Sequence, residues 1–472
     1  VQRELSGSFV SRIIVVAFLC VCSIQATSFA QAAVEWEIKP EEIIFKLWKT
    51  AGRRYEVSYT TSPMKVIIDA TEPLEGFEPV LKTEDVALRR LRYSETAGGS
   101  RLVLDFNYQL PNPVWQDYGD FVLLTIEKTY VHTTERAVTT GVVYGHQRRA
   151  DEFGPNIVNY LEIRRRFTGV EIKLALAQGR LHGSENVSDI AARGGAIAAV
   201  NGAFFSGDGR PLGIFMIDGE LISEPYAART ALGLGPRLAV MDGITFKGEA
   251  LLPAGLTGKI TGINRPRGED DLIVYTPFYG ESTRTNGYGL EVTLIGDKVV
   301  ALGTGNSPIP AGGIVLSGHG LSAKILENIK IGDEVAVSIK LDPPWEDLGV
   351  NQIIGGGPRL VRDGEVHLTG AEEKFQQDVL AGRAPRTALG ITEDQKILLV
   401  TVNGRQPNIS VGMTLSELAE LLIELGAVQA MNLDGGGSTT MIIRDLVLNL
   451  PSGGSERPVS NAIIITVPED RR

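Results

Sequence analysis

The sequence predicts a mixed α/β catalytic domain with a β-rich insertion, preceded by a small all-β, sandwich-like domain. Three observations carry this. Short apolar runs closed by an acid recur before residue 134. Two helix-like segments, near Val187–Arg193 and Thr414–Leu425, each feed a short apolar strand. Between them, residues 235–347 alternate strand-like runs with turns rich in proline and glycine.

The first segment reads as an export signal over residues 1–30. Arg3 and Arg12 flank a polar start, and an apolar run follows from Ile13 to Ile24. That run is shorter than the roughly 20 residues a spanning helix needs. Ser28-Phe29-Ala30 fits a small-residue cleavage site, with Ala30-Gln31-Ala32 as an alternative. The expectation is a secreted or envelope-associated protein. The only cysteines, Cys20 and Cys22, lie in this segment, so the remaining chain has no thiol for a disulfide, a zinc–thiolate site or a nucleophile. With 46 Lys and Arg against 57 Asp and Glu, the net charge is −11. An acidic chain disfavours nucleic acid as a partner, and phosphate would have to be held by a few placed arginines.

Residues 34–134 read as the β domain. Lys65-Val66-Ile67-Ile68-Asp69 and Ser100-Arg101-Leu102-Val103-Leu104-Asp105 follow turn signals at Ser62-Pro63 and Gly98-Gly99, and Phe121–Ile126 adds a strand. On those two runs the segment resembles the AMIN domains that precede catalytic modules in bacterial cell-wall hydrolases. The resemblance implies envelope or peptidoglycan association without catalysis. Residues 135–156 read as a polar connector, and 157–468 as the catalytic domain. Its clearest helix starts at a capping box, Thr414 with Glu417, carries Leu415, Leu418, Leu422 and Leu425 on one face, and stops at Gly426.

Two patterns recur in this larger region. Gly195-Ala196-Ile197-Ala198-Ala199-Val200-Asn201 matches Gly426-Ala427-Val428-Gln429-Ala430-Met431-Asn432, and Arg229-Thr230-Ala231-Leu232-Gly233 is repeated letter for letter from Arg386 to Gly390. The recurrence predicts one cleft approached from two sides, lined by Asn201, Arg229, Arg386 and Asp434. The most specific signal is Asn432-Leu433-Asp434-Gly435-Gly436-Gly437-Ser438-Thr439. Three glycines let the backbone approach a ligand closely and leave a carboxylate and hydroxyls at a bare turn. Asp434 is the leading candidate base or nucleophile, and Glu373 a second acid. Arg386, Arg229 and Arg405 offer planar forks suited to phosphate oxygens. Asn201, Asn403, Asn432, Ser438 and Thr439 are candidates for orienting a sugar. No cofactor is implied; nothing has histidine spacing for zinc, and a hard divalent cation such as calcium stays open.

In order along the chain, Ala199–Phe205, Gly355-Gly356-Gly357-Pro358-Arg359-Leu360, Pro385–Gly390, Asn432–Thr439 and Arg457-Pro458-Val459-Ser460-Asn461-Ala462 resemble the phosphodiester glycosidase family over about 155–468. The resemblance implies hydrolysis of a sugar-1-phosphate diester, here in a bacterial envelope or exopolysaccharide polymer. Asn403 stands before Gly404-Arg405-Gln406-Pro407 where the family has Asp. That departure keeps a rival open, a non-catalytic glycan-binding or exopolysaccharide-assembly protein with a degenerate site. Amino-terminal sequencing of exported protein should begin near Gln31 or Ala33; recovery of the intact segment from the cytoplasm would refute export.

Overall fold

The computed structural model describes residues 32–166, 169–236 and 238–468, so the segment read as an export signal lies outside the described residues. In the amino-terminal part, alternation drives the packing. Ile43, Phe45 and Leu47 on strand Glu42–Trp48 are buried while their neighbours face outward. Met64, Val66, Ile68 and Ala70 do the same on Met64–Ala70. Both sets enter one core with Leu102, Leu104, Leu124 and Ile126. A four-stranded sheet and a five-stranded sheet thus supply one apolar core, in the manner of a small sandwich.

Residues 135–156 are not a connector. Tyr130–Thr139, Val142–Asp151 and Gly154–Ile163 form an antiparallel meander, with Tyr130 opposite Ala150 and Val142 opposite Ile163. Polar side chains on both faces hide the strand alternation, yet the ladder satisfies the backbone. Gly145 is needed where Tyr160 lies across the neighbouring strand: a Cβ there would stand 2.0 Å from Tyr160 Cζ. The Tyr160 hydroxyl donates to Glu135 Oε1 at 2.6 Å.

The meander opens an eight-stranded sheet that continues through Gly154–Ile163, Ile397–Val402, Arg386–Thr392, Ala427–Asn432, Arg359–Arg362 and Glu365–Val366. A five-stranded sheet carries Ala198–Asn201 beside Asn461–Thr466 and Met441–Ile443. Another carries Thr230–Leu234 beside Gln352–Gly355. Gly355-Gly356-Gly357 steps from this last sheet to the eight-stranded one, with Gly356 N–H donating to Thr230 O and Gly357 N–H to Asn432 O. Within 245–342, a three-stranded and a five-stranded sheet share a separate core of Ala250, Leu272, Val292, Leu294, Leu316 and Val335.

The mixed α/β expectation is overturned. The described residues contain thirty-five strands and four α-helices, the longest of ten residues. Pairing is antiparallel throughout, save for Gly262–Ile263 with Leu272–Tyr275. The two helices read from the sequence do form, at Val187–Arg193 and Leu415–Glu424. Each covers a sheet face, Leu415, Leu418 and Leu422 sharing a core with Ala388, Leu398 and Val400. Each also crosses between two like-directed strands that are separated by an antiparallel one, Arg386–Thr392 in one sheet and Asn461–Thr466 in the other. The strands they feed pair with antiparallel partners, so no parallel sheet follows. The Thr414–Glu417 capping box is present in both directions. Thr414→Ala should therefore cost about 1 kcal/mol, seen as a lower denaturant midpoint with an unchanged slope.

Candidate active site

Strand Ala427–Asn432 delivers the glycine-rich turn. Leu433 is fully buried and anchors it, its N–H donating to Thr387 O at 2.8 Å. Asp434 N–H reaches Gly202 O at 3.2 Å, and Gly436 N–H reaches Pro385 O at 2.8 Å. The glycines answer to close approaches. A Cβ on Gly435 would stand 2.8 Å from Pro385 O, one on Gly436 3.3 Å from Arg405 Nη2, and one on Gly437 3.3 Å from Arg457 Cδ. Gly436 also has φ +59°, where a side chain is disfavoured.

Asn201, fully buried, ties three segments together. Its Nδ2 donates to Asp434 O at 2.5 Å, and its Oδ1 accepts from Thr387 Oγ1 at 2.8 Å and Thr440 N–H at 3.1 Å. Asn461 holds the neighbouring backbone, accepting from Ala203 N–H at 2.7 Å. On the other side, Asn432 Nδ2 donates to Gly357 O at 3.1 Å and Leu433 O at 2.7 Å.

Asp434 keeps a solvent-reaching side but is crowded by protein on the others. Burial pushes its pKa up to about 6, against the opposing pull of Ser438, Arg457 and the Gly435 amide. Ser438 Oγ is close enough to favour the charged form, though it makes no hydrogen bond of ordinary geometry. Arg405 and Arg457 are exposed beside the glycines, and neither makes an ion pair among the described residues. Arg457 lies 5.8 Å from the Phe205 ring. Asn432 Oδ1, Asn403 Nδ2, Thr439 Oγ1 and Thr440 Oγ1 are buried without partners. Orphaned polar atoms clustered at a bare turn are what a polyhydroxylated ligand would satisfy.

The sequence-predicted residues divide sharply. Asn201, Asn432, Asp434, Ser438, Thr439 and Arg405 gather at the turn. Arg386 does not offer its fork to it. Thr387 points toward Asn201, so its neighbour on the strand points to the opposite face. There Arg386 donates to Met413 O, Val379 O and Gly382 O at 2.9–3.0 Å. Glu373 is likewise not a free acid. Its carboxylate accepts from Thr230 N–H at 3.1 Å, Thr230 Oγ1 at 2.6 Å, Arg359 N–H at 3.0 Å and Thr369 Oγ1, which fills its acceptor sites. Arg229 donates to Glu373 O at 3.0 Å and Lys374 O at 3.3 Å, and stacks 3.7 Å over Phe375. It braces the glutamate loop.

Asn403 accepts from Leu450 N–H at 3.1 Å through Oδ1. Its neighbour Gly404 packs on Pro385 N, as Gly435 does on Pro385 O, so both loops share one floor. Arg457 is the residue missed as a ligand candidate; its signal was its place in the Arg457–Ala462 motif. Among the described residues no three His, Cys, Asp or Glu side chains are grouped to hold a metal ion.

Because the folded state holds the Asp434 proton more tightly than the unfolded chain, stability falls as pH rises from about 4 through about 6. Asp434→Asn should therefore stabilise the protein at pH 8 by about 2 kcal/mol, discounted for the solvent-facing side. The advantage should vanish below about pH 4 in denaturation curves.

Residues 288–466 match the phosphodiester glycosidase family. An SPbeta prophage-derived uncharacterized protein of Bacillus subtilis (strain 168) is 35% identical over 86 residues, 18% of this chain and 13% of that protein. The human N-acetylglucosamine-1-phosphodiester alpha-N-acetylglucosaminidase is 32% identical over 114 residues, 21% of each chain. These matches span about a fifth or less of those relatives' lengths. A hypothetical protein from Synechocystis shares the fold, with a TM-score of 0.65 over 92% of this chain and 80% of that one, at 20% identity. The matched segment contains the Asp434 turn, Arg405 and Arg457, while Asn201 is brought to it by folding. Residues 288–466 therefore belong to the phosphodiester glycosidase family.

Proposed function

We propose that the chain is an exported hydrolase that cleaves a glycosyl phosphodiester, a sugar-1-phosphate linkage in a bacterial envelope or exopolysaccharide polymer. The observation that carries the reading is the Asp434 carboxyl, with a pKa of about 6, beside the unpaired guanidiniums of Arg405 and Arg457. Cleavage at the anomeric carbon releases a phosphate monoester, a stable anion, so its departure needs charge stabilisation more than a proton donor. Arginine forks supply that, and the cleft can work although Glu373 is committed elsewhere. Asp434 takes the proton of a water attacking the anomeric carbon, or attacks that carbon itself. In either case the C1–O bond breaks and the phosphate keeps the electron pair. The orphaned amides and hydroxyls of Asn432, Asn403, Thr439 and Thr440 orient the sugar. The human relative's name describes the same bond class. The AMIN-like sandwich would hold the enzyme at the envelope; its exposed sheet face carries Trp48 beside Phe121 and Tyr118, with Lys46 3.8 Å over Trp48.

The test is hydrolysis of a panel of sugar-1-phosphodiesters in isotope-labelled water. Label should enter the sugar hydroxyl; label in phosphate would mean cleavage at phosphorus. Asp434→Asn should lower turnover ~10²–10⁴-fold, and kcat/KM should fall below about pH 6 as Asp434 protonates. Arg457→Lys should lose activity because a point charge cannot replace a fork. Near-normal turnover by Asp434→Asn would sink the assignment. Asn403→Asp tests the degenerate-site rival: a large gain in rate would mean that the missing acid limits the natural chain.

A further inference from the structure

A cavity of about 900 Å³ is lined by Arg180, His182, Phe278, Tyr279, Glu281 and Arg284 among others, and by none of the turn residues. Its volume falls in the range of sites for small ligands. Its wall is unusual for an acidic chain. Arg284 is exposed, makes no ion pair among the described residues, and stands 5.9 Å over the Tyr279 ring. Arg180 is exposed and its side chain, among the described residues, is bonded only to the neutral amide oxygen of Gln178. His182 Nδ1 lies 3.6 Å from Asp208, and its ring sits edge-on to Tyr279 at 5.0 Å. Its Nε2 is buried without a partner.

The cavity is joined to the Asp434 site by a single loop. Residues 202–212 start at Gly202, which receives the Asp434 amide, and pass Phe205, which faces Arg457. Gly209 then packs so closely on Gly183, in the cavity wall, that a Cβ would stand 2.2 Å from Gly183 O. Asp208 on this loop pairs with Arg210 at 2.8 Å, so the carboxylate nearest His182 is already neutralised. Two unpaired guanidiniums, a half-satisfied imidazole and two aromatic rings around a roomy cavity make a combination suited to one ligand chemistry. A fork binds an anionic group while rings and a ring nitrogen meet a sugar body.

We propose that this cavity binds an anionic sugar unit, phosphorylated or carboxylated, through Arg180, Arg284 and His182. It rests on the preceding reading only in that the unit would belong to the same polymer; binding itself does not require catalysis. The cavity would then hold a repeat unit away from the scissile bond, and so favour long substrates over short ones.

The test is calorimetric titration of the full chain carrying Asp434→Asn with glucose 6-phosphate, glucuronate and glucose. At least one anion should bind and glucose should bind at least ~10-fold more weakly. Whichever anion binds identifies the charged group. The double variant Arg180→Gln/Arg284→Gln, at two exposed positions, should weaken that binding at least ~10-fold, while Arg457→Gln should leave it in place. Loss with Arg457→Gln alone would move the ligand to the Asp434 site, and no binding of either anion would overturn the proposal. These outcomes stand whether or not the wild type hydrolyses a phosphodiester.

Discussion

The candidate site depends on one buried amide. Asn201 sits at the end of a strand in one sheet, and its partners Thr387, Thr440 and the Asp434 carbonyl come from another sheet and from the turn between them. A buried primary amide can satisfy itself only if donor and acceptor partners are placed together, so the side chain fixes the relative position of all three. Without it the glycine-rich turn would keep backbone anchors at Thr387, Gly202 and Pro385 but lose the side chain that joins Asp434, Thr387 and Thr440. The turn can be bare of side chains because the constraint is supplied from outside it.

A second tie, independent of the first, runs along the opposite wall. Glu373 reaches the amides of Thr230 and Arg359, and Gly357 lies close enough that a Cβ would stand 2.2 Å from Glu373 Oε2. Asn432 then holds Gly357 O. Charged groups that look chemical in isolation are here spent on backbone, where a fully bonded carboxylate or guanidinium contributes order at the cost of its desolvation. Unpartnered polar atoms of Asn432, Ser438, Thr439 and Thr440 flank the turn. Each costs roughly 1–3 kcal/mol when buried dry, a cost relieved when a ligand or solvent meets it.

This division explains how far the sequence could be read. The two GAxxAxN copies announced that Asn201 and Asn432 occupy equivalent strand ends, and their convergence beside Asp434 follows from it. The two RTALG copies misled about Arg386, because the face a strand residue takes depends on register, and its neighbour Thr387 is the one turned to the cleft. Glu373 looked like a free acid because nothing local reveals the four donors that surround it. The strands at 135–156 were hidden by polar residues on both faces. The α/β expectation failed for a related reason: helix signals are local, whereas parallel or antiparallel pairing is decided between segments as distant as Ala198–Asn201 and Asn461–Thr466.

The unpaired guanidiniums of Arg405 and Arg457 belong to a chain whose net charge is −11. The anionic polymer proposed as substrate would meet repulsion from the net charge of the chain and attraction only where unpaired arginines stand. At 0.1 M salt the screening length is about 10 Å, which suppresses the distant repulsion while sparing contacts made within a few ångströms. Ionic strength would thus act in two opposed directions on the proposed substrate: a little salt quickens encounter, and a great deal weakens the hold.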